Sequence, residues 1–329
     1  MGKLASRSAK GEDEIPEHYD KLETSAVLFE RQMDWLVLSG PDRVSWLQGM
    51  VSNDVARLRP GQGCPAAHLS PQGKVMALMA VLADREHVWI LAEHQPDPEL
   101  LHQLDRLLIM EDAALEDRSP DVRVFSLIGG GAAPILDSVL AVRLDALYDH
   151  RASGDARVLR TPIGYDLVVS RGGADGLRSR MEAAGAVPGE ESLREIVWIE
   201  RGIPRWGVDV DPTVTLPELG EDAIDYEKGC YVGQEAVAKI RYLGHVNRAL
   251  RGLRIDGDLV PEPGPIHRGD REAGRLTSAA RSPRAGGVIG LGYLRRGSDA
   301  PGTEVEIVRG GNRRAGVVVE LPFLVSPSA

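Results

Sequence analysis

From Asp34 onward, apolar positions fall into short runs whose period switches between two and about 3.6, and this alternation predicts the elements. Asp34–Leu38 reads as a strand. Ser39-Gly40-Pro41-Asp42 then has the cap chemistry that starts a helix, and Val44, Leu47, Met50 and Val51 form one apolar face on it. A turn at Arg59-Pro60-Gly61 precedes a strand near Pro65–Leu69. The turn Ser70-Pro71-Gln72-Gly73 leads into a long strand, Lys74–Ala83, and after Asp84-Arg85-Glu86 comes another, His87–Ala92. Residues 64–92 therefore read as an antiparallel meander. Helices are expected at Glu99–Met110, Ala174–Ala184 and Glu190–Glu200, the last ending near Gly202 and Pro204. Strands are expected at Val122–Ile128 and Asp166–Ser170.

Near Arg248 the texture changes to short β-runs punctuated by Gly and Pro: Leu250–Ile255, Gly274–Ser278, Val288–Leu294, Val305–Val308 and Ala315–Leu321. Such spacing fits a small barrel or sandwich. Strands and helices mix without strict βαβ alternation, so the class is α+β with a C-terminal β-domain. There is no internal repeat, G-x-G-x-x-G or P-loop.

Composition narrows the possibilities. The 329 residues carry 39 Lys+Arg against 49 Asp+Glu, a formal charge of −10, with 43% hydrophobic content. This excludes wholesale disorder and disfavours direct nucleic-acid binding, which needs clustered cations. The basic stretch Lys239–Arg254 reads as a solvated strand-and-turn face. The longest apolar run, Val75 to Ala83, is nine residues, far short of the ~20 that a membrane-spanning helix needs. No signal peptide is evident in the first thirty residues, so a cytoplasmic home is expected. Cys64 and Cys230 are too few for a disulfide framework or a cluster, the histidines are scattered, and no resident metal is expected. Only six lysines stand beside 33 arginines, and the three beyond residue 24 (Lys74, Lys228, Lys239) all fall in the motifs below.

The most informative stretch is Asp225-Tyr226-Glu227-Lys228-Gly229-Cys230-Tyr231-Val232-Gly233-Gln234-Glu235, followed by Ala236-Val237-Ala238-Lys239-Ile240-Arg241. The pattern becomes helix-forming from Gly233, placing Cys230 just before a helix N-terminus. There the helix dipole and nearby Lys228 would favour a thiolate. A small buried cysteine in a tight turn is the plainer alternative.

Lys-Gly-Cys-Tyr-x-Gly-Gln-Glu resembles the signature of the YgfZ-type folate-binding proteins, relatives of the glycine cleavage T-protein (aminomethyltransferase). Other segments agree in order: Leu36–Arg43 with Leu47–Asp54, Ser70–Lys74, Glu200–Asp209, Gly274–Ser278 and Gly290–Tyr293. The resemblance runs from about residue 26 to residue 323. It implies a folate-binding fold of two α+β lobes plus a C-terminal β-barrel around a central channel. The divisions expected are a flexible tail at 1–24, the lobes at 25–245 and the barrel at 246–329.

The implied cofactor is tetrahydrofolate or a one-carbon-substituted form. By the resemblance, Glu200 would accept the pterin's paired N–H donors, though an ordinary helix-end carboxylate is the alternative. Trp206 or Tyr226 would cover the ring, or simply pack in a core. Arg205, Lys239 and Arg241 would meet the folate carboxylates, or be solvated surface charge. Lys228 and Gln234 of the signature complete the candidate cofactor contacts, and Cys230 is the candidate working thiol. The T-protein's adjacent aspartates, one of them catalytic, are replaced by Ala77 and Leu78, which cannot move a proton.

Three functions follow, in order of preference. The first is a folate-dependent accessory factor for iron–sulfur cluster assembly or repair, meeting assembly or client proteins and affecting tRNA-modifying enzymes only indirectly. A folate-dependent one-carbon transferase comes second, and a non-catalytic folate-sensing scaffold third.

Overall fold

A computed structural model describes residues 15–95, 100–309 and 311–324. Within these the chain forms two compact units, one built from residues 18–191 and 205–249, the other from residues 192–204 and 250 onward.

The first unit holds two sheets. One has six strands in the order β11 (Ala186–Pro188), β1 (Ala26–Arg31), β7 (Val122–Ile128), β10 (Gly164–Ser170), β9 (Ala156–Thr161) and β8 (His150–Ser153). The other has five, in the order β3 (Gly63–Leu69), β4 (Val75–Ala83), β5 (Val88–Glu93), β2 (Met33–Ser39) and β6 (Ala114–Asp117). Every neighbouring pair is antiparallel except β1 with β11. Because side chains alternate across a strand, each sheet is buried on both faces. One face of the six-stranded sheet packs Phe125, Leu127 and Leu167 against the helices α4 (Ala132–Leu140) and α5 (Ala174–Ala183). The five-stranded sheet packs Leu36, Ala77, Val81 and Ile90 against α2 (Arg43–Met50) and α3 (Leu100–Asp105). Between the sheets, Trp35, Leu82 and Leu91 meet Val124, Leu159 and Val168. Burying each such side chain is worth about 1.5–3 kcal/mol relative to exposure.

The second unit carries most of α6 (Glu191–Glu200) and a closed barrel. Its order is β12 (Arg248–Ile255), β15 (Gly287–Arg295), β14 (Arg271–Ser282), β13 (Gly264–Arg268), β16 (Glu304–Arg309) and β17 (Asn312–Val319), which returns to β12. Leu253, Ile266, Leu276 and Leu294 fill its interior. The register of β14 on β15 slips between Leu276 and Ser278, and a bulge of this kind bends a long strand round a barrel.

Several expectations need correction. Of the expected tail, residues 1–14 lie outside the described residues, but α1 (Lys21–Thr24) is helical and both Tyr19 and Leu22 are buried. The helix expected over Glu99–Met110 begins outside the described residues and ends at Asp105. Leu107 and Leu108 still reach the core from the turn beyond it, while Ile109 and Met110 are exposed. Asp42 is the N-cap of α2 but makes no cap bond; its carboxylate accepts the Asp112 N–H instead, at 2.8 Å. The stretch Lys239–Arg254 is not strand and turn throughout, since α7 (Gln234–Leu243) takes its first half and β12 its second.

Candidate functional site

The signature loop is built by hydrogen bonds to the chain just after α2. Asp225 closes a turn by accepting the N–H groups of Glu227 and Lys228 at 2.7 and 3.0 Å. Its own N–H donates to the Ser52 carbonyl, and Val232 N–H donates to the Gly49 carbonyl. Ser52 Oγ donates to the Ala223 carbonyl and accepts the Ala67 N–H, tying the loop to β3 as well.

Lys228 is buried, and its ammonium donates to the carbonyls of Gln48, Val51 and Asn53 at 2.7, 2.6 and 2.8 Å. Three donors meet three acceptors at the end of α2, where carbonyls lack helical partners. Burial pulls the amine down to about 8, opposed by the charge of Asp54. Lys228 is therefore a staple of the fold, with its three donors spent on backbone. Its charge also falls on Cys64, whose thiol burial pushes up to about 12.

Gly229 and Cys230 stand out from this anchored base, both exposed. The plainer alternative of a buried structural cysteine does not hold for Cys230. Beyond it Tyr231 is buried, with the Lys228 ammonium 5.0 Å from its ring centroid. Gly233, at φ +85°, caps α7, and a Cβ there would lie 2.6 Å from the Ser70 carbonyl oxygen. From the other side, a Cβ on Gly73 (φ +73°) would lie 2.8 Å from the Ala236 Cβ. Glycine at both positions lets the β3–β4 turn and the start of α7 pack backbone to backbone.

The remaining candidates fall into three groups. Tyr226 is half-buried, donates its hydroxyl to Glu221 at 3.1 Å, and carries the Arg241 guanidinium 3.8 Å above its ring. Lys239 is exposed and Gln234 half-buried on the same helix, α7. Arg205 and Trp206 lie in the loop after residue 204. Arg205 is buried, its N–H donating to Asp209 at 3.0 Å and its Nε 3.7 Å from the same carboxylate, so it reads as a loop anchor. Trp206 is half-buried and its backbone N–H donates to Glu93 at 2.7 Å. Glu200 belongs to the barrel unit, where it ends α6 with no exposed surface. Its Oε1 accepts the Ser282 hydroxyl at 2.5 Å and its carbonyl accepts the Leu324 N–H.

On β4, Ala77 and Leu78 differ in setting. Ala77 packs into the α2 face of the sheet, while Leu78 lies half-buried on the opposite face. Sequence reasoning missed the ionic group near that second face: Arg31 lies 3.1 Å from Glu93 and 3.5 Å from Asp166, whose carboxyl burial holds above the ordinary range. These residues are spread over 136 positions and share no motif, so only the strand order reveals them. Also missed was the pair His94–Asp34, 2.6 Å apart.

Residues 248–324 match the glycine cleavage T-protein C-terminal barrel domain. A solved aminomethyltransferase T of the glycine cleavage system from Bartonella henselae superposes with a TM-score of 0.84. That likeness covers 94% of this chain and 89% of the other at 19% identity. The fold is that of the glycine cleavage T-protein. Among curated relatives, the aminomethyltransferase of Halothermothrix orenii is 26% identical over 94% of this chain and 91% of its own. That of Rubrobacter xylanophilus is 28% identical over 85% and 79%. The expected T-protein-like architecture is thus present, closed six-stranded barrel included. Among the described residues, no group of three or more His, Cys, Asp or Glu side chains could hold a metal ion, and no helix is long and apolar enough to cross a membrane.

Proposed function

We propose that the chain binds a tetrahydrofolate and serves as an accessory factor in iron–sulfur cluster assembly or repair, with Cys230 as its working thiol. The observation that carries this reading is the exposure of Cys230 on a loop whose base is pinned by Lys228. An anchored loop with an accessible thiol at its crest suits a thiol that meets a partner, whereas a packing cysteine belongs inside.

The T-protein resemblance supports the folate. The lobe unit has surfaces that fit one: a half-buried aromatic face at Trp206, and exposed cations for the carboxylate tail at Lys239 and at Arg241, which stacks on Tyr226. Bound there, a tetrahydrofolate would supply one-carbon chemistry. The likeness to aminomethyltransferases over most of the chain favours a second reading, a folate-dependent one-carbon transferase. Against its usual form stand Ala77 and Leu78 in place of the aspartates.

The deciding experiment is complementation. In cells lacking this protein, activity of cluster-containing enzymes is expected to fall, and to return with the wild-type chain but not with Cys230→Ala. Full rescue by Cys230→Ala overturns the thiol's role and leaves the scaffold reading. Turnover of a one-carbon donor by the purified chain, with cluster enzymes unaffected by its loss, would instead establish the transferase.

A further inference from the structure

β4 carries no carboxylate, but the neighbouring strand β5 ends in one, Glu93. β4 and β5 pair with Ala80 opposite Leu91 and Met79 opposite Ala92; continued by one residue, that register sets Leu78 beside Glu93. Alternation of side chains puts the two on the face that carries Ala80 and Leu91, the apolar face turned to the six-stranded sheet. Directly opposed residues have Cβ atoms about 4.5–5.5 Å apart.

Two contacts fix the Glu93 carboxylate. Oε1 lies 3.1 Å from the Arg31 guanidinium, and Oε2 accepts the Trp206 backbone N–H at 2.7 Å. Arg31 is itself held by Asp166, which accepts the Ser126 hydroxyl. The Arg31 and Asp166 side chains are 9% and 10% exposed against 27% for Glu93, so Glu93 is the member of the group that a ligand can touch. An ionised carboxylate has about four lone-pair sites and donates nothing. Two of them are used, and the neighbours on the sheet face, Met76 and Leu78, are apolar and half-buried.

Resting on the reduced-folate reading above, we propose that Glu93 accepts one of the ring N–H donors that only a reduced pterin carries, so that the site selects tetrahydrofolate over fully oxidised folic acid. The tetrahydro ring carries N–H groups at N5 and N8, where the oxidised ring has bare acceptor nitrogens. A group that only accepts gains a hydrogen bond from the first and is repelled by the second. An apolar surface beside it suits the body of a flat ring.

Calorimetric titration of the full chain with tetrahydrofolate and with folic acid tests this. The wild type is expected to prefer tetrahydrofolate by about tenfold or more, the worth of a charge-assisted hydrogen bond. Glu93→Gln, whose amide oxygen can still accept the Trp206 N–H, should cut that preference to below about threefold through weaker tetrahydrofolate binding. Leu78→Phe leaves both Glu93 contacts in place and reads the same face by bulk should Glu93→Gln fail to fold; tetrahydrofolate affinity is expected to drop about tenfold or more. Undiminished preference in Glu93→Gln, or unchanged affinity in Leu78→Phe, overturns the role of Glu93 while the folate reading stands. Absence of tetrahydrofolate binding by the wild type overturns both.

Discussion

The ammonium of Lys228 donates a 2.6 Å hydrogen bond to the carbonyl of Val51, 177 residues earlier in the chain. With its bonds to Gln48 and Asn53, it ties the end of α2 to the loop that presents Cys230. Two segments far apart in the sequence thus prove to be a single structural joint.

Lys228→Met should therefore destabilise the lobe unit. The methionine fills much of the volume but leaves three carbonyls without their donor, at a cost of about 2–3 kcal/mol. Denaturant unfolding measures it. A loss below about 0.5 kcal/mol, the level of an ordinary surface change, would show that the staple does not hold the joint.

The glycines of the same joint give a paired test. Gly233→Ala forces a left-handed backbone and sets a Cβ 2.6 Å from a carbonyl oxygen, so a loss of about 2 kcal/mol or more is expected. Gly229→Ala meets nothing within 4 Å and should change stability by less than about 0.5 kcal/mol. Equal losses at both positions would contradict the close approach of turn and helix.

The two cysteines should separate by chemistry. Cys230 is exposed, while burial pushes Cys64 up to about 12. Iodoacetamide on the native chain at pH 8 is expected to modify Cys230 alone, with Cys64 reacting only after unfolding, as read by peptide mass spectrometry. Comparable native labelling of Cys64 would refute the assignment.

Acid should weaken the fold through two histidines. His150 has one ring nitrogen 2.7 Å from Arg157 and the other 2.9 Å from the Ala83 carbonyl, so it accepts from the first, donates to the second, and is neutral. Burial lowers the pKa of both His150 and His68. Because the unfolded chain takes up these protons more readily, their contribution is present above the unfolded value of about 6.5 and is lost as pH falls below it. Urea midpoints should decline from pH 7.5 to 5.5. A flat profile would contradict neutral burial.

What the sequence disclosed follows the reach of each signal. Val122–Ile128 and the meander from β3 to β5 were legible because strong apolar runs lie between turn residues. β1 was lost because Gln32 alone separates it from β2, and the two strands enter different sheets. α4 went unread because it follows three glycines and contains Pro134, although a proline in the first turn costs a helix little. β13 was hidden by Pro263 and Pro265. At the site, local pattern places Cys230 just before α7, but its exposure depends on how the loop is anchored. The partners of Lys228 lay beyond local pattern, and Glu93 with Arg31 depended on strand register, which no local spacing encodes.

The central claim is that this T-protein fold holds a reduced folate. The most direct measurement is a calorimetric titration of tetrahydrofolate into the purified full chain under anaerobic conditions. Saturable binding with one ligand per chain is the predicted result. No heat of binding at near-millimolar ligand, from protein whose cooperative unfolding shows it to be native, would contradict the account.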